Sequence, residues 1–165
     1  MENFGCIHYK RKCKLITKCC NSEFICRICH DLHYENIDQH KLDRFKIDEI
    51  KCLDCDTIQN VSNNCINCNI KFGEYFCNIC NLFDYNDKEQ FHCDKCGICR
   101  VGGKEKHFHC DICNMCIKSD LMDNHKCIQN CFSINCPICC EDLFTSVNNI
   151  TKMNCGHAIH VECFK

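Results

Sequence analysis

The residues of this sequence best able to do chemistry are its cysteines and histidines, 25 and 10 among 165 residues. Seven Cys-x2-Cys pairs punctuate the chain, at 26/29, 52/55, 65/68, 77/80, 93/96, 110/113 and 136/139. In such a pair a tight turn presents two thiolates to one tetrahedral ion at about 2.3 Å, the unit of a structural zinc site. One pair could be chance or a redox motif. Seven, each followed by further Cys or His, point to zinc. A disulfide scaffold needs an oxidising compartment and an export signal. The opening residues, MENFGCIHYKRKCKL, have no apolar stretch and reach a cysteine at position 6. The odd cysteine count would also leave one thiol unpaired. The expected setting is therefore intracellular, cytoplasmic or nuclear, where thiols stay reduced.

The ligands fall into four blocks. Residues 1–45 offer nine candidates: Cys6, His8, Cys13, Cys19, Cys20, Cys26, Cys29, His30 and His40. That is one more than two tetrahedral sites need, and spacing does not say which is spare; His33 reads as a surface residue. Residues 46–72 carry Cys52, Cys55, Cys65 and Cys68, two knuckles that close one four-cysteine site with no position left for substrate. Residues 73–130 hold a repeat, FHCDKCGIC at 91–99 returning as FHCDICNMC at 108–116, with FCNIC at 76–80 as a partial earlier copy. Such a period suggests stacked units sharing metals. Its twelve candidates make three sites of four. The expected apportioning is Cys77, Cys80, Cys93 and Cys96, then His92, Cys99, Cys110 and Cys113, then His109, Cys116, His125 and Cys127. Residues 131–165 supply Cys136, Cys139, Cys155, His157, His160 and Cys163, the spacing of the first six ligands of a RING finger. In a cross-braced RING the set Cys136, Cys139, His160 and Cys163 completes one site. Cys155 and His157 then await a further Cys pair. His33, His107, Cys131 and Cys140 remain; His107 is expected to be exposed, and Cys131 and Cys140 to be free thiols.

The elements that must position these ligands are short. Cysteine supplies a third of the 45% apolar content, there is no Trp, and Pro occurs once. Cys pairs interrupt any long helical period, so hairpins, knuckles and loops with few helices are expected. The alternation of RFKIDEI (44–50) predicts a short strand. Such a chain buries too little apolar surface to fold alone. A structural zinc contributes about 10–16 kcal/mol in small peptides, so the metal-free chain should be largely unfolded. The fold class expected is small, zinc-stabilised and rich in β-hairpins: a finger, a four-cysteine ribbon, a zinc-tied β-spiral and a partial cross-braced RING.

Composition also narrows the partners. No stretch approaches the roughly 18 apolar residues of a membrane span. Lys plus Arg (20) nearly balance Asp plus Glu (22) for a formal charge of −2. Nucleic-acid binding, which runs on phosphate neutralisation, finds no basic excess here. Lys10-Arg11-Lys12 reads as a solvated loop. Fifteen Phe and Tyr, among specific non-ligand residues, argue against a mere metal buffer.

The stretches GCIHYKRKC, CRICHD, HKLDRF, FGEYFCNICNLFD, FHCDKCGICRVGG, HKCI, CPICCEDLF and CGHAIHVEC, from about Gly5 to Lys165, resemble the CHY-type, CTCHY-type and RING zinc-finger ubiquitin ligases. The resemblance implies a CHY finger, the ribbon, a CTCHY finger and a RING in that order. It implies zinc modules that bind a protein substrate and a RING that recruits a ubiquitin-conjugating enzyme. Such a RING has no nucleophile; it positions the loaded enzyme so that a substrate lysine attacks the thioester. The groove for that enzyme would use Ile138, after the knuckle proline, with Val161 and Phe164 where the central helix should start. Because family members continue with the rest of the RING, the chain is expected to be a fragment or a shortened relative. The alternative is a non-catalytic zinc interaction module, competing with complete ligases.

Overall fold

The structure, a computed structural model, describes residues 4–165. It forms two compact units, Met1–Lys88 and Glu89–Lys165.

The first unit is built on a four-stranded antiparallel sheet. Strands β1 (Cys13–Thr17) and β2 (Ser22–Phe24) form a hairpin that runs into helix α1 (Arg27–Tyr34), and β3 (Glu49–Cys52) and β4 (Ile58–Asn60) add in the order β2-β1-β3-β4. The register sets Cys13 opposite Cys52, so the first two ligand blocks share one sheet. Along β1, Cys13, Leu15 and Thr17 are buried while Lys14 and Ile16 are not, the period-2 pattern of a half-buried strand. Leu15, Leu42, Ile47, Ile50, Phe72 and Phe83 pack with Cys13, Cys52 and Cys65 into one core. The strand expected over residues 44–50 begins later. Arg44–Lys46 is a 3-10 turn, because the Asp43 carboxylate accepts from Phe45 N–H and caps a turn there, and pairing starts at Glu49. The hairpin β5 (Tyr75–Cys77)–β6 (Leu82–Asp84) completes this unit, tied by Tyr85 N–H to the Lys10 carbonyl at 2.7 Å.

The second unit is a series of two-stranded hairpins: β7 (Phe91–Cys93) with β8 (Ile98–Arg100), β9 (His107–Cys110) with β10 (Met115–Lys118), and β11 (Ile150–Lys152) with β12 (Ala158–His160). A single turn of helix, α2 (Val161–Phe164), follows, where the sequence placed the start of a helix. Met115 and Ile117 of β10 pack with Phe132, Leu143, Ala158 and Ile159, so the last repeat and residues 131–165 share one core. Among the described residues no helix is long and apolar enough to cross a membrane.

Six of the seven Cys-x2-Cys turns end on a residue with positive φ: Asp56 (58°), Asn69 (58°), Asn81 (47°), Gly97 (67°), Asn114 (55°) and Cys140 (61°). The turn must reverse the chain immediately after its second thiol, and the left-handed conformation does this. Five of the six are Asn, Asp or Gly, the residues that tolerate it best. The seventh pair, Cys26/Cys29, is followed by His30 and continues into α1, with the Cys26 thiol as N-cap accepting from Cys29 N–H.

Candidate metal centres

None of the 25 cysteines is joined in a disulfide. They are nevertheless gathered with histidines. Five of the clusters are Cys6, His8, Cys26 and Cys29; Cys19, Cys20, His30 and His40; Cys52, Cys55, Cys65 and Cys68; the Cys93, Cys96, His109 and Cys116 set; and the set discussed below through Cys110. A tetrahedron with metal–sulfur bonds of about 2.3 Å has sulfur–sulfur edges of about 3.8 Å. In the first cluster Cys6–Cys26 and Cys26–Cys29 are both 3.6 Å, and His8 Nδ1 lies 3.5 Å from Cys29 Sγ. In the four-cysteine cluster Cys52–Cys68 is 3.7 Å and Cys55–Cys65 is 3.5 Å. A disulfide would need about 2.05 Å. Donor type and edge length together fit zinc.

The spare ligand of the first block is Cys13. The two clusters use the other eight candidates. Cys13 instead lies in the core of the sheet, fully buried, and burial pushes its thiol up to about 12, against the pull of Arg11. Arg11 is itself 1% exposed, lying 5.1 Å from the Tyr9 ring and 5.6 Å from that of Phe83, with Nε and Nη1 making no hydrogen bond. Lys10-Arg11-Lys12 is thus not the solvated loop the sequence suggested. The Phe83 ring comes from far along the chain, and only the fold brings it there.

In the second cluster both histidines are braced. His30 Nε2 lies 3.3 Å from Cys19 Sγ and 3.1 Å from His40 Nε2, while the opposite nitrogens face Asp31 (2.9 Å) and Asp38 (2.5 Å). The hydrogen bond to His40 holds the Asp38 carboxyl below the usual range, and the same bond raises His40. A carboxylate behind a metal-binding imidazole fixes its tautomer and raises its basicity. Burial opposes ionisation of Cys20, but hydrogen bonds led by the Thr17 hydroxyl, 3.0 Å away, pull its thiol down to about 5. The Thr57 hydroxyl leads in bringing Cys55 to about 6.

The repeat block does not divide as its spacing suggested. Cys93 and Cys96 do not join Cys77 and Cys80; they gather with His109 and Cys116, at 3.2 Å from Cys96 Sγ to His109 Nδ1 and 3.7 Å to Cys116 Sγ. Cys110 and Cys113 do not join His92 and Cys99; Cys110 Sγ lies 3.3 Å from His125 Nε2 and 3.7 Å from Cys127 Sγ, and Cys127 is 3.1 Å from that nitrogen. His109 and Cys116 therefore do not pair with His125 and Cys127. The reason is strand alternation. His92 and Cys99 are cross-strand partners, as are His109 and Cys116. Adjacent residues of a strand face opposite sides, so each hairpin carries its knuckle pair on one side and its His–Cys pair on the other. One hairpin's knuckle then meets the next hairpin's cross-strand pair. Cys77 with Cys80 in the first unit and His92 with Cys99 in the second are the pairs outside these two sets. The β5–β6 hairpin has Phe76 and Phe83 at the cross-strand position, stacked at 4.8 Å, where the later two have His and Cys. That aromatic pair joins the first unit's core.

Nearby cations attend these thiols. A hydrogen bond from Cys116, followed by the charge of Arg100, brings the Cys96 thiol down to about 4 despite burial. Lys152 Nζ donates to Cys113 Sγ at 2.8 Å.

In residues 131–165, Cys139 Sγ lies 3.2 Å from His160 Nδ1, and burial, followed by the neighbouring Cys139 and Cys136 thiols, pushes the Cys163 thiol up to about 11. His160 Nε2 is turned to the Ser146 hydroxyl at 2.9 Å. Cys155 Sγ and His157 Nδ1 are 3.5 Å apart, a separate pair. Ile138 (64%) and Phe164 (62%) are exposed, and Val161 is half-buried. Of the residues set aside as non-ligands, His33 and Cys140 are exposed and Cys131 is buried. His107 is half-buried, bound through Nδ1 to the Gly103 carbonyl at 2.9 Å, and not exposed as expected.

Comparison with known proteins finds relatives named as zinc-finger proteins and ubiquitin ligases. The chain is 51% identical over 162 residues to the E3 ubiquitin-protein ligase SRFP1 of Oryza sativa subsp. japonica, covering 98% of this chain and 62% of that protein. It is 44% identical over 169 residues to the E3 ubiquitin-protein ligase RZFP34 of Arabidopsis thaliana, covering 99% and 58%. It is 45% identical over 165 residues to the zinc finger protein BRUTUS-like At1g18910 of the same plant, covering 98% and 13%. The chain thus spans about three-fifths of the two ligases' length. The profile of the CHY zinc finger matches residues 6–75, a span that holds two of the candidate Cys/His clusters and the four-cysteine set.

Proposed function

We propose that this chain works as a RING-type ubiquitin-protein ligase, its zinc modules binding a protein substrate and residues 131–165 receiving a ubiquitin-conjugating enzyme. One observation carries the reading: the Cys136, Cys139, His160 and Cys163 group holds two large apolar side chains, Ile138 and Phe164, out in solvent beside it. Exposed apolar residues next to a rigid metal site suit a docking surface better than a core. Relatives named E3 ubiquitin-protein ligases, at 51% and 44% identity, support the same role. Val161, at the start of α2, would line the same surface. Catalysis would be by positioning alone.

The ligand sets described above would hold about six zinc ions before residue 131 and one more in the RING segment. Cys155 and His157 would supply half of a second RING site. Zinc would serve structure throughout, since each complete set fills all four positions with protein. The thiols require a reducing setting, consistent with an intracellular location.

The test is a reconstituted reaction of the zinc-loaded chain with activating enzyme, a panel of conjugating enzymes, ubiquitin and ATP. Ubiquitin chains formed on the protein, and lost on Ile138→Ala with the zinc count unchanged, are the expected result. Zinc-loaded protein that forms no chains with any conjugating enzyme, alone or extended through a complete RING, would leave a non-catalytic interaction module as the reading.

A further inference from the structure

Two cations in the second unit connect residues 131–165 to metal-binding hairpins, and neither contact is explained by the ligand sets alone. Lys152, on β11, lays its ammonium 2.8 Å from Cys113 Sγ and 5.9 Å from the centre of the Phe132 ring. Cys113 is fully buried. Arg100, the last residue of β8, donates from Nη1 to the Phe144 carbonyl at 2.8 Å with its guanidinium 4.7 Å from the Phe144 ring. Its Nε and Nη2 are buried without a hydrogen-bond partner.

A buried cation without a partner is costly. A zinc ion held by three thiolates and one imidazole keeps an excess negative charge, because the thiolates outweigh the dication. Cys93, Cys96, His109 and Cys116 make one such set, and Cys110, Cys113, His125 and Cys127 make another. Lys152 touches the second through Cys113, and Arg100 ends β8, the strand that follows the Cys93/Cys96 turn of the first. Each cation also holds part of the RING segment: Lys152 belongs to it, and Arg100 grips its Phe144.

We propose that Arg100 and Lys152 are positioning residues whose charges answer the zinc–thiolate sites of the β7–β8 and β9–β10 hairpins, so that residues 131–165 seat on those hairpins only when the sites are charged with metal. The RING segment's placement is then read from the zinc state of its neighbour. This goes beyond ligase action and does not depend on it.

The experiment uses the full zinc-loaded chain with Lys152→Met, which keeps the stem, and Lys152→Arg, which keeps the charge. Amide hydrogen exchange is followed by mass spectrometry and zinc release by a chromogenic chelator. Lys152→Met should speed exchange across 150–160 about tenfold, leave 13–17 and 49–52 unchanged, and release one zinc per chain sooner; Lys152→Arg should behave as the native chain. Native-like behaviour of Lys152→Met, or equal damage from Lys152→Arg, would overturn the proposal. Should Lys152→Met lose protection throughout, Arg100→Met decides: it must loosen 142–146 and spare 13–17, and protection retained at 142–146 defeats the idea. An unchanged zinc count in Cys127→Ser would instead defeat the ligand set on which the proposal stands. None of these readouts involves ubiquitin transfer.

Discussion

The carboxylate of Asp38 lies 2.5 Å from Nδ1 of His40, on the side of the ring opposite the nitrogen that faces the metal-binding cluster. Asp38 is exposed, and its carboxylate also accepts from His40 N–H at 3.3 Å, so both of these contacts hold His40 in place. Asp38→Asn should weaken zinc at the Cys19, Cys20, His30 and His40 site about 10- to 100-fold, with the other sites unaffected. Competition against a graded series of chelators, read as zinc per chain, checks this. Asp31 is the poorer choice for the experiment because it also accepts from Leu42 N–H at 2.8 Å and pairs with Arg27 at 2.9 Å.

Cys13 should be dispensable for metal. Cys13→Ala removes a buried thiol from β1 and should cost about 1 kcal/mol of stability while leaving the zinc count intact. Cys20→Ser should lose one zinc. Native mass spectrometry of the two variants distinguishes core from ligand, and a zinc lost from Cys13→Ala would reverse the assignment.

What the sequence revealed, and what it hid, follows from the range of the interactions. The knuckle is local: two thiols, a tight turn and an Asn, Asp or Gly behind them, so most ligand positions were legible one turn at a time. The two sites at Cys6 and Cys19 needed the sheet, because nothing near Cys13 in sequence says that it faces the core while Cys6 and Cys26 meet 3.6 Å apart. The apportioning among repeats failed at one physical step. Reading His92 and Cys93 as neighbours hides that a strand turns them to opposite sides. Phe76 and Phe83, at the positions of His and Cys in the later hairpins, were the available signal that knuckle and cross-strand pair are separate units. The shared core of β10 and residues 131–165 was not legible at all, since Met115 and Ile159 are joined only by folding.

Cys140 sits at φ 61° at the end of the Cys136/Cys139 turn, where the equivalent positions carry Asn69 and Asn114. A side chain other than Gly or Asn in that conformation costs about 1–2 kcal/mol. Cys140→Asn should therefore stabilise the chain by about 0.5–1 kcal/mol, and it also removes an exposed thiol. Thermal unfolding must be compared at fixed free zinc, because metal binding alone shifts the midpoint. A lower midpoint for the variant would mean that Cys140 has a partner role of its own.

The hairpin rule makes a prediction about ligand type. Pairing knuckle with knuckle would put four sulfurs on one ion in the repeat block, through Cys77, Cys80, Cys93 and Cys96. Pairing each knuckle with the next His-containing pair leaves every site there with three sulfurs and one nitrogen, as in the Cys93, Cys96, His109 and Cys116 set. The four-sulfur environment is then confined to Cys52, Cys55, Cys65 and Cys68. Replacing zinc by cadmium-113 makes this visible, since the nucleus is shielded step by step as nitrogen replaces sulfur. The spectrum of the full chain should contain one four-sulfur resonance, and Cys68→Ser should abolish it. A second four-sulfur signal that survives Cys68→Ser would restore knuckle-to-knuckle pairing and remove the basis for the alternation argument.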